Sequence, residues 1–294
     1  MAATSSPAAG PLAPPRPPWR FRRPSVIPGF GLSFGYAMTC LALVVLLPLA
    51  GLVAKASGLG LSGIWHVATD PRVASALRIS FGISLLAALA ASVFGFVVAW
   101  VLTRYRFPGR KIVDAAVDLP FALPTAVAGI ALASLYAPDG LVGAQLAKLG
   151  IQAAYTPLGI FIAMVFIGLP FAVRTVQPLI AEIDREVEEA SATLGASRAA
   201  TLTRVVLPPL IPAVLTGFAL AFARGVGEYG SIIFIAGNLP YVSEIAPLLI
   251  VIKLSEFDYG GAAAIATIML GISFLTLLAI NLIQAWSRRR FGYV

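Results

Sequence analysis

The sequence predicts an all-α polytopic membrane protein with six transmembrane helices and both termini in the cytoplasm. Three observations carry this expectation. Of the 294 residues, 59% are hydrophobic and only 12% are charged, against about 25% charged in a soluble domain. The apolar residues gather into runs near the roughly 20 residues that cross about 30 Å of hydrocarbon as helix. The Lys and Arg residues fall mainly on one side of those runs. A soluble chain of this length buries only about 75% of its surface, so this much apolar area needs lipid around it. The composition therefore argues against a soluble enzyme and against a disordered regulator.

Residues 1–28 stand apart. They are rich in Pro and carry Arg16, Arg20, Arg22 and Arg23. Such a segment builds no core and lacks the apolar stretch of a signal peptide. It reads as a basic cytoplasmic tail that either orients the chain with no specific partner or lies on anionic lipid. The permease-like remainder runs over 29–294. Its apolar runs are 32–54, 77–102, 116–137, 157–178, 210–236 and 262–286. The second and fifth are long enough to tilt or to project beyond the bilayer. None alternates as a β-barrel strand would. Of the 21 Lys and Arg, fourteen precede the first run, follow the last, or lie between runs two and three or four and five, while five lie in the other loops. Cytoplasmic loops collect positive charge, and an even number of spans then puts both termini inside.

Metal and covalent chemistry find little support. Cys40 is the single cysteine and His66 the single histidine, so neither a disulfide nor a zinc centre of Cys and His can form. No phosphate-binding loop and no H-E-x-x-H string occurs. Gly225 to Gly230 spells G-x-G-x-x-G. That fingerprint needs a preceding strand, and here it falls in a membrane helix, where glycines permit close packing or a break.

The loop of about 182–209 is the most polar between runs. Ile183, Val187, Ala190 and Leu194 recur at helical spacing and form an apolar stripe. Gly195 is placed to close that helix in the left-handed conformation. Ser197 is placed to cap a second short helix, which is expected to stop before Pro208. Two amphipathic helices joined by a turn are therefore predicted. They suit either a partner groove or the surface of their own bundle.

Here the residues resemble a known family. Glu189-Ala190-Ser191, Gly195, Leu207-Pro208 and Pro212 resemble the cytoplasmic signature of type I ABC importer permeases, with Ser191 where Ala is commoner. The resemblance implies that Glu189, Ala190, Ser191, Leu194, Gly195, Leu207 and Pro208 couple the chain to an ATP-binding subunit. Further runs narrow it. Ala122–Gly129, Leu169–Pro178, Gly227–Asn238, Ser243–Leu249 and Phe257–Ala262 look like the T subunits of sulfate/thiosulfate importers, with a family core at about 72–286. The implied setting is a bacterial inner membrane. The implied partners are a homologous second permease, two ATP-binding subunits and a periplasmic sulfate-binding protein. No resident cofactor is expected, because ATP would sit on the partners.

Ionisable groups inside spans are costly and mark function by default. Arg224 and Glu228 lie four residues apart in the fifth run, on one helix face. They either neutralise each other, or Arg224 meets an anion path while Glu228 tunes its availability. Pro120 and Pro124 loosen the third run, and Thr125 follows. Backbone groups freed there persist only beside protein or a water-filled cavity, although simple bending is an equal alternative. With Ser231 these residues make up the expected path or gate: Arg224, Glu228, Ser231, Pro124 and Thr125. Arg174 is expected to snorkel to the interface. Two other functions remain open at this point. One is a molybdate or tungstate permease of the same architecture. The other is an ion-coupled secondary anion transporter, which needs coupling carboxylates in the spans, where Glu228 is the only clear one.

Overall fold

The structure is a computed structural model describing residues 29–291, with side chains as far as Trp286. The expectations for the Pro/Arg tail fall outside the described residues. All regular structure among the described residues is helical. The chain divides into two compact units, Met1–Leu49 and Ala50–Val294.

The first unit holds most of helix α1 (Phe30–Ser57). A π turn at Ala42–Leu46 interrupts it, and the Leu47 N–H reaches back five residues to the Ala42 carbonyl. The cause is Pro48, which offers no N–H and crowds the carbonyl of Val44. The wider turn makes room for the ring without ending the helix. No side chain of Phe30–Leu46 is buried.

In the second unit α2 (Gly60–Thr69) leads into α3 (Pro71–Arg104). Asp70 caps α3, its Oδ1 accepting from the N–H groups of Arg72 and Val73 at 2.8 and 3.1 Å. Pro71 takes the first helical position, where a missing donor costs nothing. The third expected span is not one helix. It is divided into α4 (Arg110–Val117), α5 (Leu119–Ala122) and α6 (Thr125–Tyr136). Leu123 is extended because the next residue is Pro124. At 1.5 Å per residue, the 12 residues of α6 reach only about 18 Å.

After α7 (Gly143–Lys148) come α8 (Pro157–Glu182), α9 (Arg185–Thr193) and α10 (Arg198–Val226). The last elements are α11 (Ile232–Ile235), α12 (Ala246–Ser255) and α13 (Tyr259–Phe291). Among the described residues five helices, α1, α3, α8, α10 and α13, are long and apolar enough to cross a membrane. The fifth expected span, 210–236, starts earlier and ends earlier than its sequence suggests. Contrary to expectation, the helix opening at Arg198 does not stop before Pro208. A second π turn at Leu202–Val206 carries it through, with the Leu207 N–H bonded to the Leu202 carbonyl. Leu47-Pro48 and Leu207-Pro208 thus each follow a π turn, whereas Leu169-Pro170 lies inside α8 without one.

Helices α3, α8 and α10 pack into one body. Between apolar helices in lipid, close backbone approach supplies the attraction, and small residues allow it here. A Cβ placed at Gly95 of α3 would come within 2.6 Å of the Ala172 Cβ of α8, and one at Gly217 of α10 within 3.0 Å of the Ala172 Cα. Leu102, Val173, Val176, Ile180 and Leu210 fill the same core. α12 is pinned to α3 by the Ala246 N–H donating to Ser80 Oγ at 2.8 Å.

Candidate functional site

Helix α10 ends at Val226, and the chain turns through Gly227 before α11. The expected break at the glycines is therefore present. Glu228 lies in that turn with its side chain 2% exposed. Its Oε2 lies 2.5 Å from Arg224 Nη1. Its Oε1 accepts from both the backbone N–H and the Oγ of Ser231, each at 2.9 Å. Both carboxylate oxygens are thus engaged, and the pair neutralises its own charge inside an apolar protein, where an unpaired carboxylate would be costly. Arg224 remains 35% exposed.

The broken third run meets this turn. A Cβ on Gly230 would run into the Thr125 hydroxyl, and one on Gly129 would come within 2.6 Å of the Ser231 Cα. Pro124 occupies the N-cap position of α6 and aims Thr125 at the turn. All five expected path residues therefore share one place. Thr125 supplies a hydroxyl and Arg224 a partly open cation, while Ser231, fully buried, donates its own hydroxyl to Glu228 and with it holds the turn in shape. An oxyanion passing here would find hydrogen-bond donors without a bare carboxylate facing it.

The loop expected to dock a partner has the predicted parts. α9 ends with Gly195 at φ +82°. The Ala196 N–H bonds to the Ser191 carbonyl and the Gly195 N–H to the Ala192 carbonyl, the paired bonds of a glycine-terminated helix. Ser197 Oγ accepts from the Ala200 N–H at 3.3 Å. Ser191 Oγ lies 2.8 Å from Thr201 Oγ1 and ties the two helices together. Leu194 is 88% exposed, and Val187 is also exposed. Glu189 and Ala190 lie on the open surface as well. Leu207 and Pro208 do not join them, because they sit half-buried within α10.

The ion pairs of three arginines escaped the sequence. Arg72 at the start of α3 grips Glu244 with two bonds of 2.7 and 2.8 Å. Glu244 is as buried as Glu228, so Glu228 is not the one buried carboxylate expected. Its signal was a lone Glu between Val242 and Leu248. Arg174 finds protein partners. Its guanidinium forks onto Asp118 at 2.6 and 2.9 Å and reaches Asp114 at 2.6 Å. The i,i+4 spacing of those two aspartates was the available clue. The hydrogen bond from Arg174 holds the Asp114 carboxyl below its ordinary range, and burial opposes it. Arg104 pairs with Glu188 of α9 at 2.8 Å.

Comparison with known proteins agrees with this geometry. The family described as binding-protein-dependent transport system inner membrane component matches residues 91–293. The sulfate transport system permease protein CysT of Salmonella typhimurium is 48% identical over 269 residues, covering 91% of this chain and 97% of that protein. The Synechocystis protein of the same name is 52% identical over 249 residues, covering 85% and 87%. A crystal structure of a bacterial alginate ABC transporter in complex with its alginate-bound periplasmic protein contains a chain of the same fold. The TM-score is 0.72 at 17% identity, covering 90% of this chain and 96% of that one. With its long apolar helices and its match across more than two thirds of the sequence, this chain belongs to the family of binding-protein-dependent transport system inner membrane components.

Proposed function

We propose that this chain is the permease subunit of an ATP-driven importer that moves sulfate or thiosulfate inward across the inner membrane. One observation carries the substrate: relatives of about half identity, matched over nearly the whole chain, are named sulfate transport permeases. ATP hydrolysis belongs to two partner ATP-binding subunits. A homologous second permease completes the pathway, and a periplasmic binding protein delivers the anion. The excess of Lys and Arg in alternate loops supports a reading with both termini in the cytoplasm.

In this mechanism α9 docks on an ATP-binding subunit through its exposed Glu189, Ala190 and Leu194 face. Closure of the nucleotide-binding dimer draws the α9 helices of the two permeases together and opens the bundle outward. The anion passes the Thr125 and Arg224 donors beside the turn that Ser231 and Glu228 hold, and hydrolysis resets the bundle. An ion-coupled carrier would need a carboxylate free to exchange protons. The two buried glutamates are each held by an arginine, Glu228 by Arg224 and Glu244 by Arg72, which favours the ATP-driven reading.

The test is uptake of labelled sulfate by cells whose own sulfate permease is deleted, with and without excess molybdate. Restored uptake that molybdate does not suppress is expected. Uptake suppressed by equimolar molybdate would transfer the assignment to a molybdate or tungstate permease. Sulfate uptake unchanged by loss of this gene in its own host would end the proposal.

A further inference from the structure

Helix α8 ends at Glu182, and α9 begins at Arg185. Between them Ile183 and Asp184 are extended, with ψ of 115° and 134°. Two extended residues form a joint, and by covalent structure alone α9 would swing about it. One side chain crosses that joint from outside. Arg104, the last residue of α3, donates from Nη2 to the Ile183 carbonyl at 3.1 Å and pairs with Glu188 of α9 at 2.8 Å. Its guanidinium lies over the Trp100 ring, 5.4 Å from the centroid. Only 11% of the side chain is exposed, so solvent screens this pair far less than a surface pair. The contacts to Ile183 and Glu188 are both made by the one Nη2 atom, the first as a hydrogen bond and the second as an ion pair, and a lysine ammonium cannot also lay a planar guanidinium over the indole.

The far end of α9 is held too, through Ser191 and Thr201. α3, α8 and α10 already form one packed body. We infer that Arg104 is the positioning residue that locks the Ile183–Asp184 joint, so that α9 moves with the three-helix body instead of swinging beneath it. This rests on α9 being the element that receives force from an ATP-binding subunit. Arg104 touches neither anion nor nucleotide in this scheme. Its contribution is stiffness: with the joint locked, displacement of α9 displaces the spans, and with it unlocked, ATP is consumed while the spans stay behind.

The experiment uses the full complex in liposomes with its ATP-binding subunits and binding protein. Labelled sulfate imported and phosphate released are measured together. Arg104→Ala and Glu188→Gln are expected to keep the ATP-binding subunits bound while raising ATP consumed per anion about fivefold or more, the scale of a lost coupling element. Arg104→Lys, which keeps the charge, is expected to fall between them and the parent. Glu188 is 31% exposed, so Glu188→Gln carries the test if Arg104→Ala fails to accumulate. An ATP-to-anion ratio unchanged in Glu188→Gln, with subunits still bound, overturns the role of Arg104. Glu189→Lys separates the premise. If that variant retains both the ATP-binding subunits and transport, the docking role of α9 is wrong, whatever Arg104 does.

Discussion

Replacing Gly129 by Ala tests the contact on which the candidate path is built. The added Cβ would lie 2.6 Å from the Ser231 Cα, whereas carbon atoms in contact prefer about 3.5–4.0 Å. The obstacle is main chain, not the tip of a flexible side chain. That main chain is itself fixed, because Glu228 accepts from both the N–H and the Oγ of Ser231. α6 must therefore back away from the turn by about 1 Å. Overpacking of this kind costs about 1–3 kcal/mol, a large share of the stability of any single domain. Gly271→Ala is the control. It lies within α13 with nothing within 4 Å of its Cβ, so only the helix preference for Ala acts, worth roughly 0.5–1 kcal/mol in favour of the variant. Denaturant unfolding in detergent should place the two variants on opposite sides of the parent. Sulfate uptake in vesicles should fall in Gly129→Ala and hold in Gly271→Ala. Equal stability in Gly129→Ala and the parent would refute the packing, and normal uptake kinetics in a destabilised Gly129→Ala would remove the α6 contact from the path.

Three further outcomes are expected. Arg224→Ala strands the Glu228 carboxylate and should destabilise the protein more than the double change Arg224→Ala/Glu228→Gln, since breaking a buried pair costs more than replacing both charges. Strictly additive unfolding energies would show that the two are not coupled. The Asp114 carboxyl is held low by Arg174, so its stabilising contribution is complete above the unfolded value near 3.9. It is lost as the pH falls through the lower folded value. Thermal melts from pH 6 to pH 3 should therefore decline less steeply in Asp114→Asn, and identical slopes would contradict this. Gly195 has φ +82° and open space around its Cβ, so strain alone decides its variants. Gly195→Asn should cost less than Gly195→Val, because Asn tolerates the left-handed region, and melting temperatures in the reverse order would show that something else fixes that turn.

The features written locally in the chain were legible. Gly195 and Ser197 announce the end of one helix and the start of another through chemistry that acts over three or four residues, and both behave as that chemistry demands. Arg224 and Glu228 are four residues apart, and they do pair. The misjudged features involve a competition that sequence alone does not settle. Pro208 stops a regular helix, yet a π turn at Leu202–Val206 removes the conflict. The third run is apolar enough for a span, yet Pro120 and Pro124 act in succession and leave the 12-residue α6 as its longest helix. Hydropathy counts apolar side chains and is blind to where backbone hydrogen bonds stop.

The ion pairs show the same limit from the electrostatic side. Arg72 and Glu244 are 172 residues apart, and Arg174 and Asp118 are 56 apart. Counting Lys and Arg per loop assigns Arg72 to a side of the membrane and leaves Arg174 at the edge of a span, without revealing what either one meets. Their pairing changes what the candidate path can do. A divalent anion reaching Arg224 meets a cation that Glu228 has already neutralised, so long-range attraction is weak there. Affinity must come from short-range donors, the hydroxyl of Thr125 among them, and from the partly open guanidinium, because the Ser231 hydroxyl is already given to Glu228. Such a site holds an anion loosely. A conduit works best that way, because an anion bound tightly midway would be released slowly, and a carrier driven by ATP has no need to store binding energy at its centre. In the proposed mechanism selectivity then falls to the binding protein that delivers the anion, and the energy enters at α9.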